Sequence, residues 1–139
     1  MADVVAALIA LLQADAATAA LAGARMFGGE LPASEAASMP RGAIVIATSG
    51  GSSLTGGSAL EHDTQRIDLF AYGATPLEAE QLRGVAALAF RRARRAVWAG
   101  VLIHWVNPAG GATGARDRDA AWPRAFQSFQ VLHALESLS

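Results

Sequence analysis

The stretch TQRIDLFAYGATPLEAE, residues 64–80, decides the fold of this chain, because two different periodicities meet inside it. From residue 64 to residue 72, Ile67, Leu69 and Ala71 alternate with polar or aromatic residues. A period of two is typical of a β-strand with one face towards a core. A glycine then ends the alternation, and the residues after it carry the signals of a helix start. The stretch therefore predicts a strand that is followed directly by a helix.

The predicted helix has the clearest start signal in the sequence. Thr75 can cap it, Pro76 suits its first position, and Glu78 can act as the partner in a capping box. The helix is expected to extend to about residue 96, and its apolar face consists of Ala79, Leu82, Val85, Ala86, Ala89, Phe90 and Ala93. Leu77 and Leu88 lie on the opposite, polar side, where a fully solvated face has no need of leucine. We predict that these two leucines contact a partner or another subunit.

The regions on either side of this stretch predict further helices and strands. An N-terminal helix covers residues 3–14 with Asp3 as its cap, and Gly23 ends a short second helix. Apolar, β-branched runs predict strands at residues 43–48, 97–107 and 124–133. Residues 97–107 are apolar on both faces, so this strand is expected to be central. The expected fold class is α+β, in the order α-β-β-α-β-β. It has an antiparallel or mixed four-stranded sheet with two main helices packed on one face.

Three stretches between these elements are rich in Gly, Ser or Pro and predict loops, at residues 27–41, 49–58 and 108–119. The last two have little apolar content, so we expect at least one of them to become ordered only against a partner. Arg116, Asp117, Arg118 and Asp119 end the third stretch with alternating charges, a pattern that favours contact with another protein chain.

Composition limits the class of protein. The chain has 139 residues, no cysteine and a net charge of −1. Disulfides, thiolate nucleophiles and cysteine-ligated metals are therefore excluded. The longest apolar run, residues 4–12, is about half of the ~20 residues that a membrane-spanning helix needs. We expect one intracellular domain over residues 1–139 that has no membrane partner.

The charges are unevenly distributed. Residues 1–69 hold three arginines and seven acids, whereas residues 70–139 hold eight arginines and five acids. The one concentrated run consists of Arg91, Arg92, Arg94 and Arg95. Three interpretations stay open for this run. The cations can interact favourably with the C-terminal end of the helix dipole, contact acidic groups of a partner protein, or contact DNA phosphates.

No catalytic, cofactor or metal site is predicted. Residues 51–58 resemble a phosphate-binding loop in their glycines and final serine, but Gly57 stands where that loop needs lysine and a strand follows. His62, His104 and His133 lack the spacing of a metal pair. The acidic residues are too dispersed to nominate a carboxylate pair. We expect a protein that is not an enzyme.

The chain resembles the tail terminator, or tail completion, proteins of long-tailed bacteriophages and phage-derived gene transfer agents. Residues 61–72 followed by residues 75–80 carry most of the resemblance, as an alternating strand, a short glycine turn and an acidic capped helix. Three further stretches match in order and spacing: residues 11–23, residues 27–32 and residues 43–48. Beyond residue 97 the match is one of general layout.

The resemblance implies a structural role in particle assembly. Proteins of this family form a six-fold ring that caps the tail tube, ends tail polymerisation and provides the surface for head–tail joining. The implied partners are other copies of the chain in a hexamer, the tail tube protein and a head-side connector or stopper protein. DNA passes through the lumen without specific binding. The implied location is the tail or neck of a virion or phage-like particle, assembled in the host cytoplasm.

Two alternatives stay open from the sequence. Other head–tail connector or stopper proteins of the neck have a similar size and composition. A small nucleic-acid-binding module can be built on the same α+β layout, with the run from Arg91 to Arg95 as its contact with phosphates.

Overall fold

The computed structural model describes residues 3–49, 62–110, 112–116 and 122–134. Four helices lie in these ranges: α1 (Val4–Ala14), α2 (Ala16–Ala22), α3 (Ala33–Ala36) and α4 (Pro76–Arg92). Seven strands accompany them: β1 (Met26–Gly28), β2 (Ala43–Thr48), β3 (His62–Tyr72), β4 (Ala96–Trp98), β5 (Val101–Pro108), β6 (Thr113–Arg116) and β7 (Pro123–Ala134). The α+β class is therefore confirmed, although the sheet is larger than predicted.

The first two helices begin at aspartate caps. Asp3 accepts a hydrogen bond from the Ala6 amide at 3.0 Å, and Asp15 accepts one from the Thr18 amide at 3.0 Å. Gly23, with φ at 58°, ends α2 as predicted. Within the described ranges no single helix is long and apolar enough to span a bilayer. Only α1 and α2 together meet that length and composition, and they are bent by 96°.

Strand β7 is the centre of the sheet. The strand order is β1-β2-β3-β7-β5-β4, with β6 also paired to β7. One edge of β7 pairs with β3 along its length, from His62 opposite Ala134 to Tyr72 opposite Arg124. Its other edge is shared, since β5 pairs with the second half and β6 with the first. Among the strands of the described ranges, only the β1–β2 pair is parallel, so the sheet is mixed.

The prediction of a four-stranded sheet is wrong in three places. Residues 97–107, predicted as one central strand, form the β4–β5 hairpin around Ala99 and Gly100, which have φ values of 48° and 79°. Strand β1 lies in the predicted 27–41 loop region, and β6 lies in the predicted 108–119 loop. These short strands pair through main-chain hydrogen bonds, which depend little on side-chain alternation. Their sequences therefore carry a weak signal.

The main core lies between the helices and one face of the sheet. Buried side chains of α1 and α4 pack there on β3, β5 and β7, and Phe90 meets Phe129 edge to face with ring centroids 5.0 Å apart. Helix α1 contacts both β1 and β4, which are the two ends of the strand order. The sheet therefore curls around α1. This explains why α1 buries more than one side.

A second, smaller apolar cluster covers part of the outer face of the sheet. It is formed by Ala43, Val45 and Tyr72, with Phe27, Leu31, Met39, Phe70 and Trp122 packed against them. Glu35 of α3 is 7% exposed, and it pairs with Arg41 through two hydrogen bonds of 2.7 and 2.8 Å. That ion pair joins α3 to the residues just before β2, within the segment that connects β1 with β2.

Helix α4 begins as predicted and ends early. The Thr75 hydroxyl accepts a hydrogen bond from the Glu78 amide at 3.2 Å, while Glu78 accepts one from the Ala74 amide rather than from Thr75. The predicted face is buried at Ala79, Leu82, Ala86, Ala89 and Phe90, with Val85 packed at its edge. The helix stops at Arg92 rather than near residue 96, because Ala93 takes an extended conformation with ψ at 131°.

Candidate interaction surfaces

The described residues form no group of three or more His, Cys, Asp or Glu side chains that could hold a metal ion. Strands β5 and β7 are neighbours, as a pairing of His104 with His133 would require. The register shifts between Ile103 and Trp105, however, so His104 lies at a bulge and Ile103 is opposite His133. His133 is buried, with Nδ1 2.6 Å from the carbonyl oxygen of Ala134. This histidine has a local structural partner.

The outward side of α4 carries two exposed leucines, where the sequence placed them. Leu77 is 68% exposed and Leu88 is 43% exposed. At 100° per residue, Leu77, Gly84, Leu88 and Arg91 fall within about 60° of one another, and we call this line of residues the α4 outer stripe. A Cβ added at Gly84 would meet nothing within 4 Å. The middle of the stripe is therefore open to close approach by another chain.

A groove of about 350 Å³ runs beside the stripe. It is lined by Arg83, Gly84, Ala87, Leu88, Arg91 and Gln127. Arg83 is fixed in place because it donates hydrogen bonds to both Glu80 and Gln127. The Arg83 hydrogen bond lowers the pKa of Glu80 below its ordinary value of 4.5. The groove thus has an apolar wall, a held cation at one side and the exposed Arg91 at its end.

The arginine run is divided by the end of α4. Arg91 and Arg92 occupy the last turn, where cations interact favourably with the helix dipole. Arg94 and Arg95 lie beyond the helix, because Ala93 is already extended. None of the four forms an ion pair with a carboxylate among the described residues. The dipole therefore accounts for only half of the run, and Arg94 and Arg95 are exposed cations that need another explanation.

A second groove, of about 250 Å³, lies at the same end of α4. Its apolar residues come from α1, α4, β4 and the segment after α4. The charged residues Asp15, Arg92 and Arg94 also line it. The lining is Leu11, Ala14, Asp15, Ala89, Arg92, Ala93, Arg94 and Trp98. Residues of the arginine run therefore line both grooves. Arg91 lines the first groove, and Arg92 and Arg94 line the second.

The two predicted long loops have different outcomes. The 49–58 loop lies outside the described residues except for Ser49, whose amide bonds to the Arg66 carbonyl at 2.9 Å. The prediction of a loop over residues 108–119 is wrong for its described part. Pro108 ends β5, the Ala109 amide donates a hydrogen bond to the Ser128 carbonyl at 2.9 Å, and residues 113–116 form β6. Main-chain pairing with β7 holds this part of the chain on its own subunit.

The alternating-charge segment is thereby divided. Arg116 is the last residue of β6, opposite Pro123, whereas Asp117, Arg118 and Asp119 lie outside the described residues. Their predicted contact with another chain stays a prediction.

Two exposed apolar residues were missed by the sequence analysis. Val97 is 51% exposed on β4, and Leu21 is 41% exposed at the end of α2. Val97 looked buried because the apolar run around it predicted a central strand. The available signal in the sequence was Gly100, because glycine favours the positive φ that a two-residue hairpin turn needs and would have divided the run into two strands. The strand order then places β4 at the edge of the sheet.

Comparisons with known proteins identify a shared fold. No family model matches the chain, and no curated protein matches it. Among solved structures, it is similar to a chain in the virion of a native gene transfer agent particle. The two share 15% sequence identity, with a TM-score of 0.65 and 92% of each chain covered. The architecture described above is therefore found, almost end to end, in a chain of that particle.

Proposed function

We propose that this protein is a structural component of a phage-type particle that acts as a tail terminator. Copies form a ring, a hexamer by the family resemblance, that caps the tail tube and ends its polymerisation. The ring then provides the head–tail joining surface. It is located in the tail or neck of the particle and is assembled in the host cytoplasm.

The observation that carries this proposal is the fold shared with a chain of a gene transfer agent virion over 92% of both chains. The tail-capping role comes from the resemblance of residues 61–80 and the flanking stretches to tail terminators. The two lines of argument are independent, since one rests on backbone geometry and the other on residue order. Both favour a structural role without catalysis.

The surfaces of α4 support a role in contacts between proteins. Two exposed leucines, an open glycine and two grooves with arginines at their edges are concentrated on one helix and its C-terminal end. A ring that must bind itself, a tube and a head-side partner needs several such surfaces on a small subunit. Heterologous contacts that close on themselves limit the assembly to a ring rather than a filament.

A terminator can be tested directly on growing tail tubes. Added to polymerising tube protein, the purified chain is expected to cap tube ends with rings and to stop elongation, as seen by negative-stain electron microscopy. Tubes that keep growing with bare ends would contradict the proposal. Rings that bind heads but leave tube length unchanged would assign the chain to the connector or stopper proteins of the neck.

A substitution in the arginine run distinguishes a contact with protein from a contact with nucleic acid. Arg95→Glu is expected to keep the melting temperature and lose head–tail joining, because Arg95 is exposed beyond the helix. Arg66→Glu is the matched control, since it makes the same change of charge at an exposed residue of β3. A nucleic-acid-binding module would instead show DNA affinity that falls steeply with salt and is lost in Arg95→Glu.

A further inference from the structure

The α4 outer stripe is complementary to a second copy of itself. Leu77 and Leu88 are eleven residues apart, which is close to three helical turns, so they lie on one line about 16 Å apart along the axis. When two copies of α4 run antiparallel and cross midway between these residues, Leu77 of each helix lies opposite Leu88 of the other. One pairing geometry therefore covers the exposed leucines of both α4 helices.

The charges of α4 favour the same orientation. Glu78 lies in its first turn, and Arg91 and Arg92 lie in its last turn. In an antiparallel pair the acidic start of each helix meets the basic end of the other, and the two helix dipoles oppose one another. A parallel pair would instead place arginines beside arginines. Charge complementarity thus selects the antiparallel arrangement.

The stripe also has room for a second helix. Gly84 lies next to the crossing point, and a side chain there would be in open space. The groove of about 350 Å³ beside Leu88 is open where Leu77 of a second copy would enter. The helix can therefore be approached closely at its middle, and an apolar side chain can be received beside it.

We propose that α4 pairs with α4 of a second copy in an antiparallel, two-fold contact through Leu77, Gly84 and Leu88. A stable dimer buries about 1,600 Å² in total, and a single helix face supplies much less. The pair is consequently weak and reversible. Because each copy offers the same face, the contact closes at two subunits and differs from the heterologous contacts of a ring.

If the chain acts as the proposed terminator, pairing of α4 keeps free subunits from assembling. This consequence rests on the proposed function. Pairing covers Leu77 and Leu88, so a paired subunit cannot offer them to a tail tube or a head-side partner. Free subunits are then held apart from assembly until a partner displaces the second copy.

Cross-linking tests the geometry, since the chain has no cysteine of its own. Leu77→Cys and Leu88→Cys are made separately and oxidised gently, alone and mixed. In the antiparallel pair Leu77 faces Leu88 of the other copy, whereas the two Leu77 positions are about 16 Å apart along the axis, too far for a disulfide. The mixture is expected to give a disulfide-linked heterodimer and each variant alone to stay uncross-linked. Absence of the heterodimer, or equal cross-linking of each variant alone, would overturn the proposal.

Sedimentation velocity across a concentration series supplies the second measurement. The unmodified chain is expected to show reversible pairing that is lost in both Leu77→Asp and Leu88→Asp. Leu21→Asp is the matched control, an exposed leucine on α2 whose replacement should leave pairing unchanged. Pairing that survives both α4 substitutions would refute the contact. Neither test needs tail tubes, so its failure is separate from a failure of the proposed ring.

Discussion

Arg41 donates hydrogen bonds from Nε and Nη2 to the two carboxylate oxygens of Glu35, at 2.7 and 2.8 Å. The carboxylate is almost fully buried, whereas the arginine side chain is 44% exposed. Both residues lie in the segment that connects β1 with β2, so the pair holds α3 against the residues that lead into β2. Leu31 and Met39 of the same segment pack on the cluster of Val45 and Tyr72. The contact thus closes a six-residue turn within that segment.

Breaking this pair is expected to destabilise the protein. Glu35→Gln should cost about 1–3 kcal/mol of unfolding free energy, because the buried amide is neutral and can accept only one of the two Arg41 hydrogen bonds, while its NH2 group faces the other donor. Glu80→Gln is the control, since the Glu80 side chain is 50% exposed and an exposed pair contributes only about 0–1 kcal/mol. Urea unfolding at neutral pH measures both. Equal losses for the two variants would contradict the structural role of Glu35.

The same pair predicts a pH dependence. The Arg41 hydrogen bond holds the pKa of Glu35 below its ordinary value of 4.5. The unfolded chain therefore takes up a proton at higher pH than the folded one. The stabilisation is present above about pH 4.5 and is lost as pH falls through the lower pKa of the folded state. Urea midpoints measured from neutral pH down to acid should fall less steeply in Glu35→Gln than in the unmodified chain.

Helix α4 is expected to be the rigid centre of the subunit. Leu82 is 1% exposed, so Leu82→Ala should cost about 2–5 kcal/mol, and Val85→Ala should cost less because Val85 is only partly buried. Leu77→Ala is the matched control, with a stability change close to zero because the side chain is exposed. Chemical denaturation compares the three variants. Small losses at both Leu82 and Val85 would show that the helix faces the other way.

Two glycines of the α4 region should respond in opposite directions to alanine. A Cβ at Gly73 would overlap the Ala79 amide and come within 2.8 Å of the Glu78 carbonyl carbon, so Gly73→Ala should cost about 1–3 kcal/mol. Gly84→Ala places its methyl group in open space and should gain about 0.5–1 kcal/mol of helix stability. Thermal unfolding measures the change in stability of both variants. A lower melting temperature for Gly84→Ala would contradict the open space at this position.

Strand β6 is expected to contribute to stability, although the sequence predicted a loop at these residues. Replacing residues 109–116 with a short Gly-Ser turn removes the strand that pairs with Phe126, Ala125 and Arg124. The melting temperature should therefore fall, whereas a plain surface loop could be shortened without loss. Differential scanning calorimetry decides between the two, and an unchanged melting temperature would show that β6 contributes no stability.

The sequence by itself determined the elements that have strong local signals. The capped start of α4, its buried face, the aspartate caps and glycine end of the first two helices, and the strands at residues 43–48 and 64–72 were predicted from their patterns. Each depends on groups close together in the chain: a cap bonds three residues away, and an apolar face repeats every three or four residues. The exposed Leu77 and Leu88 were predicted for the same reason.

The tertiary structure alone decided how many strands pair and where the cations lie. Strands β1, β4 and β6 are three or four residues long, so they show too little side-chain alternation to be recognised, whether their partner is the neighbouring strand of a hairpin or lies further along the chain. Helix α4 ends at Arg92, where Ala93 becomes extended and the chain leads into β4. That early end separates Arg94 and Arg95 from the helix, and the rotation of 100° per residue within α4 places Arg91 and Arg92 at different grooves. Local periodicity specifies helices and long strands, whereas short strands show too few alternations and surface grooves form where several elements meet.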